Sequence, residues 1–188
     1  MSEAYSPVPE LNLLKELQDR LGGRPYAGGF ELFDYGDAGY LQGLAHPEFG
    51  ERLIPFARAS DSGSFYALWR CDDREDMATL PVLFCGDEGE LFIEASGLRD
   101  LFRLLALDGA HLDGAELEEE DHTAGHHEYL AWLEGNFGLA PPRDAAPIHE
   151  AAFAQYGRPF AEWWLRLVPD HASVEEMLRE LSSRWLLL

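Results

Sequence analysis

Residues 53–70 read LIPFARASDSGSFYALWR, and this stretch decides the fold class. It opens with a short apolar run, in which Pro55 favours an edge strand or a β-bulge. The polar SDSG sequence in its middle has the composition of a turn. In the run that follows, Phe65 and Trp69 fall on one face and Tyr66 on the other, a period typical of a β-strand. The stretch therefore predicts two strands joined by a turn.

The neighbouring segments extend this sheet and add helices to it. The apolar runs at 82–85 and 91–93 flank the sequence GDEG at 86–89, which is typical of a hairpin. Apolar residues recur at helical spacing in 98–107 and, upstream of the sheet, in 10–21. We therefore expect the order helix, sheet, helix.

The C-terminal part of the chain has a different composition. Residues 108–122 resemble an acidic linker, with the run Glu116–Asp121 interrupted by one leucine. The pattern beyond it is helical: Tyr129 to Leu133, Pro147 to Tyr156, Phe160 to Leu167, and a last helix that Ser173 and Glu176 begin as a capping box.

These patterns together predict an α+β fold. We expect a curved, mainly antiparallel sheet with flanking helices in residues 1–109 and a helical extension, residues 110–188, packed on it. The terminal run Trp185 to Leu188 is apolar and must dock on its own core or on a second copy. Formation of a homodimer therefore stays open.

The order of the central segments resembles the SUKH superfamily, which includes fungal cell-wall-synthesis regulators and bacterial toxin-immunity proteins. The resemblance covers about residues 50–107 and leaves 110–188 outside it. It is carried by IPFA at 54–57, the Asp61-x-Gly63 turn, FYAL at 65–68, LPV at 80–82, GDEG at 86–89, EAS at 94–96 and LRDLFRLL at 98–105.

This resemblance implies both a fold and a role. The fold is α+β, with a curved sheet and flanking helices. The role is protein binding, which in bacterial members commonly neutralises a partner toxin. Such toxins are often basic nucleases, so the resemblance implies a protein partner that could be a basic toxin.

The charge of the chain bears on its partners. Asp and Glu number 35 against 14 Lys and Arg, which gives a net charge of -21. Such a surface repels phosphate backbones and anionic lipid, so we expect neither nucleic acid nor a membrane as a partner. A basic protein is a plausible partner, although solubility alone explains the charge equally well.

The cysteines and the N-terminus indicate location. Cys71 and Cys85 are the two cysteines, too few for a secreted disulfide scaffold. The first residues lack the basic and apolar regions of a signal peptide. No apolar run approaches the roughly 18–20 residues of a membrane span. A cytoplasmic protein is therefore expected.

Acidic residues in two loops beside adjacent strands are the candidate binding residues. We predict that they form a negative rim facing a basic partner. A catalytic carboxylate pair and simple solvation are the alternatives. The predicted contacts are Trp69, Asp72, Asp73, Asp87 and Glu88.

A histidine cluster supplies an alternative function. His122 and His126 share a face if their segment is helical, and with His127 they could serve a metal-dependent hydrolase. However, no third ligand stands at a recognised distance and the His-Glu-x-x-His pattern is absent. No Gly-x-Ser-x-Gly elbow is present either. We therefore expect a non-enzymatic protein with no metal and no cofactor; an intracellular scaffold unrelated to toxins is a third hypothesis.

Overall fold

The structure is a computed structural model that describes residues 4–109, 122–168 and 173–183. The predicted acidic run Glu116–Asp121 and the predicted docking of the apolar tail at 185–188 lie outside these ranges.

The predicted helix, sheet and following helix are present, and the α+β prediction is confirmed. A short helix between the first and second strands was not predicted. The helices are α1 Pro9–Leu21, α2 Pro47–Arg52, α3 Leu98–Leu105, α4 His126–Phe137, α5 Ala146–Leu167 and α6 Val174–Ser183. The strands are β1 Glu31–Leu32, β2 Leu53–Arg58, β3 Phe65–Trp69, β4 Val82–Cys85 and β5 Leu91–Ala95, and two 3-10 turns span Ala38–Leu41 and Met77–Thr79. Among the helices of the described residues, none combines the length and the apolar character that crossing a membrane requires.

The five strands form one antiparallel sheet in the order β1-β2-β3-β4-β5, so each strand pairs with its neighbour in the chain. The register between β2 and β3 shifts between Pro55 and Ala57. Proline has no N–H to donate to a sheet, which is why a bulge accommodates it in this internal strand.

Each face of the sheet carries its own apolar core. The first core joins Tyr66 and Leu68 of β3 to α1, α3 and α4. The second core joins Phe65 and Trp69 of β3 to α2, α5 and α6. Because successive strand residues point to opposite faces, β3 is buried along its whole length. The predicted alternation of β3 is confirmed.

The helices after residue 122 divide between the two cores. Helix α4 completes the first core, whereas α6 and most of α5 cover the second. Helix α5 begins in the first core with Ile148 and continues in the second with Ala152, so it passes the edge of the sheet at β5. The boundary proposed at residue 109 stays a prediction.

Helix α5 is continuous where the sequence predicts two helices, and that prediction is wrong. Pro159 lies inside the helix, where it removes one backbone hydrogen bond. The buried stripe runs through this position, from Tyr156 to Phe160 and Trp164. Its packing on the sheet holds the two segments in one helix.

Candidate functional site

The two acidic loops of the sequence prediction lie at opposite ends of the sheet. Strands β3 and β4 are antiparallel, with Leu68 opposite Val82 and Phe65 opposite Cys85. The β3–β4 loop, residues 70–81, therefore leaves one end, and the turn between β4 and β5 leaves the other. At about 3.4 Å per residue, β4 alone separates them by about 10 Å. Asp72 and Asp73 do not form one rim with Asp87 and Glu88.

The β4–β5 turn, residues 86–90, presents three exposed carboxylates: Asp87, Glu88 and Glu90. Ser64 fixes the first of them, because its Oγ donates to Asp87 Oδ1 at 2.7 Å and accepts from the Asp87 N–H at 3.2 Å. Hydrogen bonds from Ser64 and Ser62 lower the pKa of Asp87, so it is charged at neutral pH. Within the described part of the chain, none of the three carboxylates forms an ion pair.

The β3–β4 loop holds its acidic residues differently. Arg74 pairs with Asp72 through two nitrogens, and its hydrogen bonds lower the pKa of Asp72 to about 2. Arg74 also donates to the Thr79 carbonyl at 2.7 Å and to the Tyr156 hydroxyl at 3.4 Å. Asp72 therefore helps to seat the loop on α5, while Asp73 is exposed.

Trp69 lies inside the second core, with 2% of its surface exposed. Its ring packs against Phe160 at 5.1 Å and against Trp163 at 5.4 Å between ring centroids. The side chain is therefore covered by α5 and is not available to a partner in this conformation. The sequence showed which face of β3 carries Trp69, but not that a distant helix covers that face.

Glu48 links α2 to α5 beside this packing. It accepts from Trp163 Nε1 at 2.9 Å and from two nitrogens of Arg166 at 2.7 and 3.0 Å. The hydrogen bonds from Arg166, and to a smaller extent the one from Trp163, lower the pKa of Glu48 to about 2. The Glu48 carboxylate therefore holds α2 against α5.

Two members of the predicted histidine cluster come together, and the third does not. The rings of His122 and His126 stack with centroids 4.4 Å apart and planes 7° apart. His127 points elsewhere and is exposed. The residue that joins the pair is Asp108, which sequence reasoning placed in a linker.

Asp108 is a buried carboxylate just beyond the end of α3. Its Oδ1 accepts from Gly28 N at 2.7 Å and from Thr123 Oγ1 at 3.0 Å, while its Oδ2 accepts from Thr123 N. Its Oδ2 lies 3.1 Å from His122 Nδ1 and 3.7 Å from His126 Nδ1. Asp108 adopts a left-handed backbone conformation, φ 50°, which Asp tolerates better than most residues. This conformation and these contacts follow from the tertiary structure, so the sequence offered no pattern that pointed to Asp108.

His126 differs from His122 in its surroundings. Its side chain is 9% exposed, against 30% for His122. Burial lowers the pKa of His126, and the nearby Asp108 carboxylate partly offsets this effect. Its Nδ1 atom has no hydrogen-bond partner among the described residues. This Nδ1 atom lies 3.7 Å from Asp108 Oδ2, beyond hydrogen-bond distance.

A second buried acid–histidine pair joins the sheet to α5. Glu94 of β5 and His149 of α5 are both fully buried, with Glu94 Oε1 3.3 Å from His149 Nε2. The pair lies where α5 passes the edge of the sheet. Sequence reasoning did not connect these residues, because 55 positions separate them.

Comparisons of the chain with protein-family models, with curated proteins and with solved structures found no match.

Proposed function

We propose that this chain is a cytoplasmic protein-binding domain of the SUKH type that neutralises or controls a basic protein partner. The observation that carries the proposal is the β4–β5 turn, where Asp87, Glu88 and Glu90 are exposed and form no ion pair within the described residues. The proposed contact surface is thus the β4–β5 turn alone, whereas the predicted rim included both acidic loops.

Electrostatics favour a cationic partner at this turn. Like charges close together repel one another, and a basic surface replaces that repulsion with attraction. Ser64 holds Asp87 in place before any partner arrives, so less conformational freedom is lost on binding. The net charge of -21 adds long-range attraction for the same class of partner.

The β3–β4 loop is the weaker candidate for the same contact. Arg74 already neutralises Asp72, and Arg52 and Arg70 lie at the same end of the sheet. A basic protein that approached this loop would meet guanidinium groups as well as carboxylates. Its other exposed carboxylates, including Asp73 and Glu75, lie beside these guanidinium groups.

The arrangement of the middle segment agrees with what the SUKH resemblance implies. Residues 53–95 form four strands joined by consecutive connections, and the Leu-rich helix α3 follows them directly. The resemblance supplies the protein-binding role and the class of partner, and the charge of the turn supplies a specific surface.

The experiment compares two triple variants of equal charge. The first, D87N/E88Q/E90Q, neutralises the β4–β5 turn; the control, E51Q/D73N/E75Q, removes three exposed carboxylates at the opposite end of the sheet. Each immobilised protein is exposed to lysate of the source cells at low and high salt. Captured proteins are identified by mass spectrometry, and the strongest is purified for affinity measurement.

We expect the wild type and the control to capture a common basic protein, and the turn variant to bind it roughly 3- to 100-fold more weakly. Binding by the wild type should also weaken as salt rises. Capture of no basic protein, or equal binding by both triple variants, would remove the basis of the proposal.

A further inference from the structure

We propose that Asp108, His122 and His126 form a binding site for one divalent transition-metal ion of the Zn²⁺ class. Each residue offers one ligand atom, and these three atoms lie within 4.8 Å of one another. The Nδ1 atoms of both histidines are the ones that approach Asp108 Oδ2. This site is independent of the proposed protein-binding surface, which lies at an end of the sheet.

The donor set suits this class of ion. Two imidazole nitrogens and one carboxylate oxygen are ligands that Zn²⁺ commonly takes, whereas Ca²⁺ and Mg²⁺ prefer oxygen alone. Histidine binds such ions through a neutral imidazole nitrogen, and both rings place an Nδ1 atom within 4 Å of the carboxylate.

The spacing of the ligand atoms is close to what one ion requires. Bonds of 2.0–2.1 Å in a tetrahedral arrangement place neighbouring ligand atoms about 3.3 Å apart. Asp108 Oδ2 is 3.1 Å from His122 Nδ1 and 3.7 Å from His126 Nδ1. Both oxygen–nitrogen spacings are therefore close to the spacing between two ligands of one tetrahedral ion.

The carboxylate is held in place by groups that are not ligands. Gly28 N–H and the Thr123 hydroxyl bind its other oxygen, Oδ1, and the Thr123 N–H binds Oδ2. Such outer hydrogen bonds fix the orientation of a ligand and are a regular part of protein metal sites. They come from segments far apart in the chain, so the site exists only in the folded protein.

His126 provides an independent sign of a missing partner. Its side chain is 9% exposed, its Nδ1 lies 3.7 Å from Asp108 Oδ2, and that nitrogen has no hydrogen-bond partner among the described residues. A buried polar atom without a partner is costly and uncommon. A metal ion satisfies it.

Metal binding requires the rings to turn. The planes of His122 and His126 are nearly parallel, at 7°, so their in-plane lone pairs do not meet at one point. Rotation about the Cβ–Cγ bond, which is soft for histidine, lets both nitrogens face one ion. His122 is 30% exposed and therefore has room to move.

The ion would link three segments of the chain around α3 and α4. Asp108 follows α3, His126 is the first residue of α4, and His122 precedes it. A metal ion that binds only the folded chain stabilises it in proportion to its affinity.

The test is a Zn²⁺ titration of the metal-free full chain by calorimetry and by thermal unfolding, with excess Mg²⁺ to occupy surface carboxylates. Three proteins are compared: wild type, His122→Ala and His127→Ala. His127 is the matched control, because it is exposed and adjacent in sequence but outside the cluster. His122 is preferred to Asp108 as the target because loss of the buried carboxylate endangers the fold itself.

We expect the wild type and His127→Ala to bind one Zn²⁺ and to melt at higher temperature with it. Loss of a residue that only hydrogen-bonds to a ligand lowers metal affinity about 10- to 100-fold. His122→Ala removes a ligand itself, so its Zn²⁺ affinity should fall by at least about 10-fold. Absence of Zn²⁺ binding under Mg²⁺, equal affinity in His122→Ala, or an equal loss in His127→Ala overturns the assignment. The melting temperatures of the three metal-free proteins show whether each variant is folded.

Discussion

The β3–β4 loop and the β4–β5 turn are alike in acidic composition but differ in their surroundings. In the loop, Arg74 binds Asp72 and reaches α5 through Tyr156. In the turn, Asp87 is held by the neutral Ser64, and its neighbours form no ion pair within the described residues. Acidic residues in a sequence are therefore not equivalent to unneutralised charge on a surface. The loop contributes to the fold, and the turn carries unneutralised charge.

The largest expected effect is on stability, and it tests whether Trp69, beside the β3–β4 loop, belongs to the core or to a contact surface. Trp69→Ala should lower the free energy of unfolding by about 3–5 kcal/mol, because it leaves a cavity between β3 and α5. Urea denaturation followed by circular dichroism measures this. Ile54→Ala, which truncates a partly buried residue of the neighbouring strand, is the comparison and should cost less. A stable Trp69→Ala protein that fails to bind its partner would instead make Trp69 a contact residue.

A smaller effect tests the neutralising role of Arg74. Arg74→Ala should lower the free energy of unfolding by about 2 kcal/mol, because several hydrogen bonds of a charged group are lost together. Arg70→Ala is the control, since Arg70 is exposed in the same loop and, within the described residues, its side chain forms one hydrogen bond, a long one of 3.8 Å to the Met77 sulfur. Equal stability of the two variants would show that Arg74 does not seat the loop.

The smallest effect is a pH dependence at Asp72. Its pKa is lowered to about 2 in the folded chain, below the ordinary 3.8, so its charged form favours folding. This contribution is complete above about pH 5 and disappears as pH falls towards 2. The melting temperature of Asp72→Asn should therefore lie below that of the wild type at neutral pH, and the two should converge in acid.

Asp73→Asn is the control for this titration, because Asp73 makes no ion pair within the described residues. If Asp73→Asn shows the same convergence as Asp72→Asn, general surface charge explains the effect, and the Arg74 pair does not.

Hydrophobic periodicity predicted where most helices and strands lie, but it did not predict the full length of α5. It located β3, the β4–β5 hairpin and α3, since the pattern that buries a face is written in neighbouring residues. It divided α5 between Tyr156 and Phe160, whereas the helix is continuous through Pro159. It also could not assign α4 and α6 to opposite faces.

The candidate sites were predicted in part for the same reason. His122 and His126 were paired because four residues separate them, on the condition that their segment is helical. Helix α4 begins only at His126, so the rings meet without the helical turn that this spacing assumed. Asp108 was missed because it lies 14 residues before His122, in a segment without periodicity. Its contact with Gly28 spans 80 residues and follows from the packing of α3 against the loop that precedes β1.

The sequence by itself determined the α+β class, the two faces of β3, the capping of α6 by Ser173 and the excess of negative charge. Each of these depends on composition or on residues a few positions apart, whose geometry is fixed by the backbone. Only the tertiary structure decided that the two acidic loops lie at opposite ends of the sheet, that α5 covers Trp69 and that Asp108 meets two histidines. Those contacts join residues distant in the chain, and the packing of whole helices on both faces of the sheet sets them.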